Sequence, residues 1–156
     1  NQLVAKLRPQ DKMGLVTYAN TAEVFQDPTS GDRKAELQKS ISDLKPLGLT
    51  AGGKGIKLGY KEVMKNYDPK KANIVIIITD GAFNKDSEDY QKTVQKYAKQ
   101  GIIFSVVGIQ TREKDAALMK EAAEFGHGRF VPIQKLADAH INLTQEIRIA
   151  SFKMKN

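Results

Sequence analysis

Residues 72–81 read ANIVIIITDG. From Ile74 to Ile78 every side chain is apolar and β-branched, with no polar alternation. A strand of that kind is covered on both faces, as in the centre of a parallel sheet. Thr79, Asp80 and Gly81 end the run with turn chemistry. Downstream, residues 87–100 carry an amphipathic helical pattern stopped by Gly101, and IIFSVVGI (102–109) is a second two-sided strand. Residues 113–125 predict a helix ended by Gly126, GRFVPI (128–133) another strand, and residues from 134 to about 151 a closing helix. Upstream, Leu3, Val4 and Leu7 end a helix closed by Pro9, and MGLVTYA (13–19) is a buried strand. AEVFQ (22–26) is its hairpin partner, and DPTSG (27–31) reads as a turn. Two helices follow, one from Asp32 towards Pro46 and one from Gly52 or Gly53 to Asn66.

Strands alternating with helices, around apolar central strands, predict an α/β fold. The expected sheet is doubly wound and mostly parallel, with one antiparallel edge strand and helices on both faces. Ligands of such sheets sit beyond the carboxyl ends of the strands. The residues to inspect are therefore those after each strand: Tyr18 to Asn20, Thr79 to Gly81, and Gly108 to Thr111. The 156 residues make one domain (1–156), and no linker divides them. The chain opens at NQLVAKLRP without a Met, which predicts a piece of a longer protein.

The composition removes several chemistries. With no cysteine, there are no disulfides, zinc-thiolate sites or thiol nucleophiles. No apolar run approaches the roughly 20 residues of a membrane-spanning helix. The net charge of +7 raises the question of nucleic acid. In DRKAELQKS and REKDAALMKEAAE, however, the basic residues alternate with acidic ones, which describes solvated helix faces. Nucleic acid is not an expected partner.

GLTAGGKGI (48–56) matches G-x-x-x-x-G-K, the pattern of a phosphate-binding loop. Such a loop leaves the carboxyl end of a strand, whereas SISDLKPL ahead of Gly48 reads as helix closed by proline. The magnesium-binding Ser or Thr after the lysine is also replaced, by Gly55. ATP hydrolysis is therefore not expected. What remains is Thr50, a hydroxyl before a glycine-opened helix, and Asp80, a carboxylate at the tip of a buried strand. Thr50 alone could simply cap the helix, and Asp80 could close an Asx turn with Gly81. Together, hydroxyl and carboxylate oxygens at a sheet's carboxyl edge are hard ligands, suited to Mg²⁺, Mn²⁺ or Ca²⁺.

On these segments the chain resembles the von Willebrand factor type A (vWA) domains, in their bacterial form. DKMGLVTYANTAEVF resembles the family's second and antiparallel third strands, GLTAGGKGI its threonine loop, and IIITDGAFN its fourth strand and acidic turn. IIFSVVGI and GHGRFVPI resemble the later strands. The resemblance implies a protein-interaction or adhesion module that holds a divalent cation through Thr50 and Asp80, and whose partner supplies a carboxylate. The family's D-x-S-x-S segment, which follows its first strand, occurs nowhere in the sequence. The first strand and the remaining ligands are expected upstream of Asn1, and the fragment alone should bind metal weakly. In the family that strand lies between the second and fourth. Without it we expect strands 13–19 and 72–80 to pair directly or the gap to be bridged, because unpaired backbone groups in a core are costly.

The competing reading is a doubly wound enzyme that uses Asp80 as phosphoacceptor or in magnesium-dependent catalysis, or a scaffold without a working site. The enzyme would need acidic neighbours at adjacent strand ends, and Tyr18–Asn20 and Gly108–Gln110 are neutral. No nucleophile has a base beside it: His127 falls in a turn and His140 in a helix, both expected to be surface or structural. The bacterial resemblance leans towards an envelope or extracytoplasmic location.

Overall fold

The computed structural model describes residues 2–18, 21–44, 52–79 and 90–134. Their order is α1 (Gln2–Ala5), β1 (Lys12–Tyr18), β2 (Ala22–Ser30), α2 (Lys34–Asp43), α3 (Gly52–Met64), β3 (Asn73–Thr79), α4 (Tyr90–Ala98), β4 (Ile102–Ile109), α5 (Glu113–Phe125) and β5 (His127–Ile133). The helix expected after residue 134 lies outside the described residues.

The run that opened the sequence reading is a strand in its expected place. β3 pairs in parallel with β4 in unbroken register from Asn73↔Ile102 to Thr79↔Gly108. β5 adds in parallel on the other side of β4. β4 is therefore the centre of this sheet, and its residues are buried from Ile102 to Gly108. Burial on both faces is what the absence of alternation in IIFSVVGI requires.

One face of the sheet carries α3, α4 and α5. There Ile56 and Tyr60 of α3, Val94 of α4 and Met119 of α5 close over Val75, Ile77, Phe104 and Val106. The Tyr60 ring stacks on Tyr97 at 4.5 Å and lies 6.0 Å from Phe104. Val107, Val131 and Ile133 form a smaller cluster, with Ile76 and Ile109 packed against it.

Two glycines set the approach of β5 to β4. A Cβ at Gly126 would strike Phe104 Cβ, and one at Gly128 would strike the Phe104 carbonyl oxygen. Between them His127 has φ 58, a left-handed conformation few side chains adopt. The sequence GHG thus turns the chain sharply out of α5 and lays it flat against β4. His127 is exposed at this turn, as the sequence reading placed it.

β1 and β2 form a separate antiparallel pair, from Lys12↔Ser30 to Tyr18↔Ala22. Here the sequence reading needs a correction, because residues 27–30 are strand and not turn. The register slips around Leu15, so that Met13 faces Thr29 while Leu15 faces Gln26. Gly14 sits in that slip, where a Cβ would lie 3.3 Å from both Gln26 O and Pro28 N. A bulge on an outer strand is a place where a sheet tolerates proline. The segment ahead of β1 is tied to this region by Lys34, whose Nζ donates to the carbonyls of Val4 (2.9 Å) and Leu7 (2.6 Å). Ser30 Oγ also donates to Pro9 O at 2.6 Å.

A second correction concerns the whole sheet. Among the described residues β1 pairs with β2 alone and β3 with β4 alone, so the strands fall into two sheets. Of the two outcomes expected for strands 13–19 and 72–80, direct pairing or a bridged gap, direct pairing is not made among the described residues. α3 instead packs on β1, β2 and β3 alike, and one helix spans both sheets.

Candidate functional site

The carboxyl ends of the strands are reached through α3 and β3. α3 begins at Gly52, and Gly52, Gly53 and Gly55 are all buried in its first turns. Three residues without side-chain bulk let the start of the helix sink into the protein, as a loop-to-helix junction beside a ligand requires. Ile56 and Tyr60 from this helix share a cluster with Val75 and Ile77 of β3. Further along, Gly59 faces Val75, with 3.4 Å from a notional Cβ to Val75 Cγ1. β3 ends in Thr79, which is buried.

Thr50 precedes Gly52 by two residues, and Asp80 follows Thr79 directly. Both candidate ligands lie outside the described residues, as do Ala19 and Asn20 after β1. What is described is the pair of elements from which Thr50 and Asp80 extend. At the end of β4, Gln110 takes a left-handed conformation, φ 49, and its N–H donates to Ile133 O at 2.8 Å. Gly108 is tightly enclosed: a Cβ there would come within 2.8 Å of the Phe130 ring and 3.1 Å of Met119 Sδ. This strand end is neutral, and its backbone is fixed by pairing with β5.

Acidic side chains elsewhere are engaged in the fold. Asp115, buried in the first turn of α5, accepts from Arg112 Nε at 2.8 Å. Glu62 is buried on α3 and paired with Lys65 at 2.7 Å. No group of three or more His, Asp or Glu side chains able to hold a metal occurs among the described residues. Hydroxyl and carboxylate oxygens from Thr50 and Asp80 are of the right chemistry for a hard cation. Two such oxygens would fill only part of the shell of roughly six that such an ion takes.

Tyr60 was not singled out by sequence reasoning. Its ring is fully buried, and its hydroxyl has no hydrogen-bond partner among the described residues. Burial pushes its ionisation far above the ordinary tyrosine range, with the neighbouring Tyr97 adding to the shift. Nothing in GYKEV signals an orphaned hydroxyl, because stacking on Tyr97 and Phe104 depends on distant parts of the chain.

The von Willebrand factor type A domain family matches residues 1–146. A protein of Escherichia coli (strain K12) named uncharacterized protein YfbK is 32% identical over 149 residues, covering 94% of this chain and 26% of that protein. The chain thus spans about a quarter of that relative's length. Among solved structures, a von Willebrand factor type A protein from Catenulispora acidiphila superposes with a TM-score of 0.77 at 18% identity, covering 97% of this chain and 35% of the other. Proximal thread matrix protein 1 from the mussel byssus, with a zinc-occupied MIDAS motif, gives 0.73 at 20% identity, covering 96% and 38%. At such identities these two likenesses concern the fold. With the match over most of its length and the bacterial relative, the chain belongs to the von Willebrand factor type A domain family.

Proposed function

We propose that this domain is a protein-interaction module that engages its partner through a divalent cation at the carboxyl ends of the strands. The observation that carries this reading is the first stretch of α3. Its glycines are buried beside the sheet, and Thr50 stands just ahead of it in sequence as Asp80 stands just after β3. The zinc-occupied MIDAS motif of the mussel protein lends support from within the same fold. In this reading the Thr50 hydroxyl is a neutral ligand and the Asp80 carboxylate a charged one. A bound cation would supply an open coordination position for a carboxylate of the partner.

The remaining ligands belong, in this proposal, to a D-x-S-x-S segment carried on an additional strand. The separation into two sheets supports a place for it: β1 and β3 each have a second edge unpaired among the described residues, and α3 lies over both strands. A strand seated between them would join the two sheets into one.

Titration calorimetry with Mg²⁺ tests the reading, comparing this chain with one that carries such a segment ahead of it. The longer chain should bind Mg²⁺, and the 156-residue chain weakly or not at all. In the longer chain Asp80→Ala should weaken the metal itself. Thr50→Ala, which leaves the charge unchanged, should retain more of the metal while partner binding falls. Equal magnesium affinity in the two chains would overturn the proposal.

A further inference from the structure

The interspersed charges noted in the sequence describe α2 and α5, but not α3 and α4. α5 exposes Arg112, Lys114 and Lys120 together with Glu113, Glu121 and Glu124, which balance. α3 exposes Lys57 and Lys61, and its single acid, Glu62, is buried and held by Lys65. α4 exposes Lys92 and Lys96 and contains no acid, and exposed Lys99 follows it. The two helices are neighbours, joined by the Tyr60–Tyr97 stack. The exposed lysines of both helices therefore lie on two packed neighbours, while Asp86, Glu88 and Asp89, ahead of α4 in sequence, lie outside the described residues. The ion pairs among the described residues lie elsewhere: Arg8–Asp11, Arg33–Glu36, Lys39–Asp43, Lys65 with Glu62 and Asp27, and Arg112–Asp115. The face runs on to exposed Lys71, in the turn before β3, where Asp68 Oδ1 accepts the Lys70 N–H.

We propose that the α3–α4 face is an electrostatic docking surface for an anionic lipid bilayer. Charge complementarity requires an anionic partner, and the composition of the face selects among anionic partners. Among the described residues Arg8, Arg33, Arg112 and Arg129 all lie on other parts of the chain, so the described part of the face has no planar fork for bidentate reading of bases or phosphates. It offers no open aromatic ring for base stacking either, since Tyr60 is fully buried and Tyr97 stacks on it. What it offers is a set of flexible ammonium groups on a ridge of two helices. Exposed Met64 at the end of α3 adds an apolar contact on the same face. Lysines spread over a broad surface add their attractions to a charged plane without a specific geometry. The chain crosses no membrane in this arrangement, consistent with the absence of a long apolar helix among the described residues. Docking involves the sides of the two helices, whether or not the candidate cation site binds metal.

Co-sedimentation of the full-length protein with phosphatidylcholine vesicles containing roughly one third phosphatidylglycerol measures the interaction. Binding is expected at low salt, with loss at high salt and on pure phosphatidylcholine. Lys57→Gln with Lys96→Gln should lower the partition coefficient about 25-fold, at about fivefold per lysine. Lys114→Gln with Lys120→Gln on α5, an equal loss of charge, should lower it less than about threefold. Lys57→Arg with Lys96→Arg should retain binding, which separates charge from any effect on folding. The proposal is overturned if the α5 pair weakens binding as much as the α3–α4 pair, or if neutral vesicles bind equally well. Tighter binding to duplex DNA than to the anionic vesicles would overturn it as well.

Discussion

The parallel sheet of β3, β4 and β5 and the hairpin of β1 and β2 are built by different rules. In the first, pairing between β3 and β4 is unbroken, and β4 is buried throughout its first seven residues. In the second, the register slips twice, and Val24 and Phe25 are 37% and 42% exposed. Both contain apolar β-branched and aromatic residues, so composition does not explain the contrast. Coverage does: three helices, α3, α4 and α5, lie over the parallel sheet, whereas the hairpin shares α3 with it and is otherwise touched by α2 on β2. Stability should therefore be concentrated in β4 and its neighbours, while the hairpin can shift at modest cost.

The largest expected effect is in the centre of the parallel sheet. Phe104→Ala removes a fully buried ring and should destabilise by about 3–5 kcal/mol. Phe25→Ala, the same change on the hairpin, should cost less than about 1 kcal/mol in urea unfolding. Similar losses for the two would erase the contrast. Next are the glycines: Gly128→Ala forces a methyl group against a backbone carbonyl that no rotamer change can relieve, and should cost about 3 kcal/mol. Gly14→Ala meets backbone 3.3 Å away in a strand already bulged, and should stay within about 1 kcal/mol of the parent.

A smaller change of opposite sign is expected at Tyr60. Tyr60→Phe keeps the stack and removes a hydroxyl without a partner among the described residues, so the variant should be about 1 kcal/mol more stable. Destabilisation would mean that the hydroxyl has a partner after all. The smallest effect is at Arg8. Hydrogen bonding by the Arg8 side chain, and against some desolvation its backbone N–H and then the charges of Arg8 and Lys34, hold the Asp11 carboxyl below its usual range. A depressed carboxylate stabilises above its unfolded pKa of about 3.9, and that contribution fades as pH falls through the lower folded value. Arg8→Ala, which keeps the backbone N–H bond to Asp11, should lower stability only slightly at pH 7, given how exposed the pair is, and not at all once Asp11 is protonated in both states. Thermal unfolding at neutral and strongly acidic pH would show it.

The same contrast governs what the sequence could reveal. IIFSVVGI was legible to within a residue because burial on both faces leaves an uninterrupted apolar run, whereas ANIVIIITD carries the same kind of run although the expected coverage of both faces is not met among the described residues, Ile78 being 45% exposed. DPTS was misread because Asp, Pro and Ser favour turns locally, while the extension of β2 depends on a bulge opposite Gly14. The split of the sheet was not foreseen, since the cost of unpaired edges was weighed without knowing that α3 spans both sides. Thr50 and Asp80 stand in the sequence as candidate hard ligands by residue type and by their places beside a helix start and a strand end, and both lie outside the described residues. The lysine face was hidden for a related reason. Lys57 and Lys96 are far apart in the chain, and the packing of their two helices rests on Tyr60 meeting Tyr97.

Amide hydrogen exchange, read strand by strand, tests most directly whether the two sheets are the halves of one. In the 156-residue chain, β4 amides should be the slowest, while β1 and β3 exchange faster where their outer edges are unpaired. In a chain carrying a further strand with D-x-S-x-S, alternate amides of β1 or β3 should gain protection together, and those of β2 should not. Protection gained along β2, or no change in either β1 or β3, would contradict a strand between the two sheets and the cation site that depends on it.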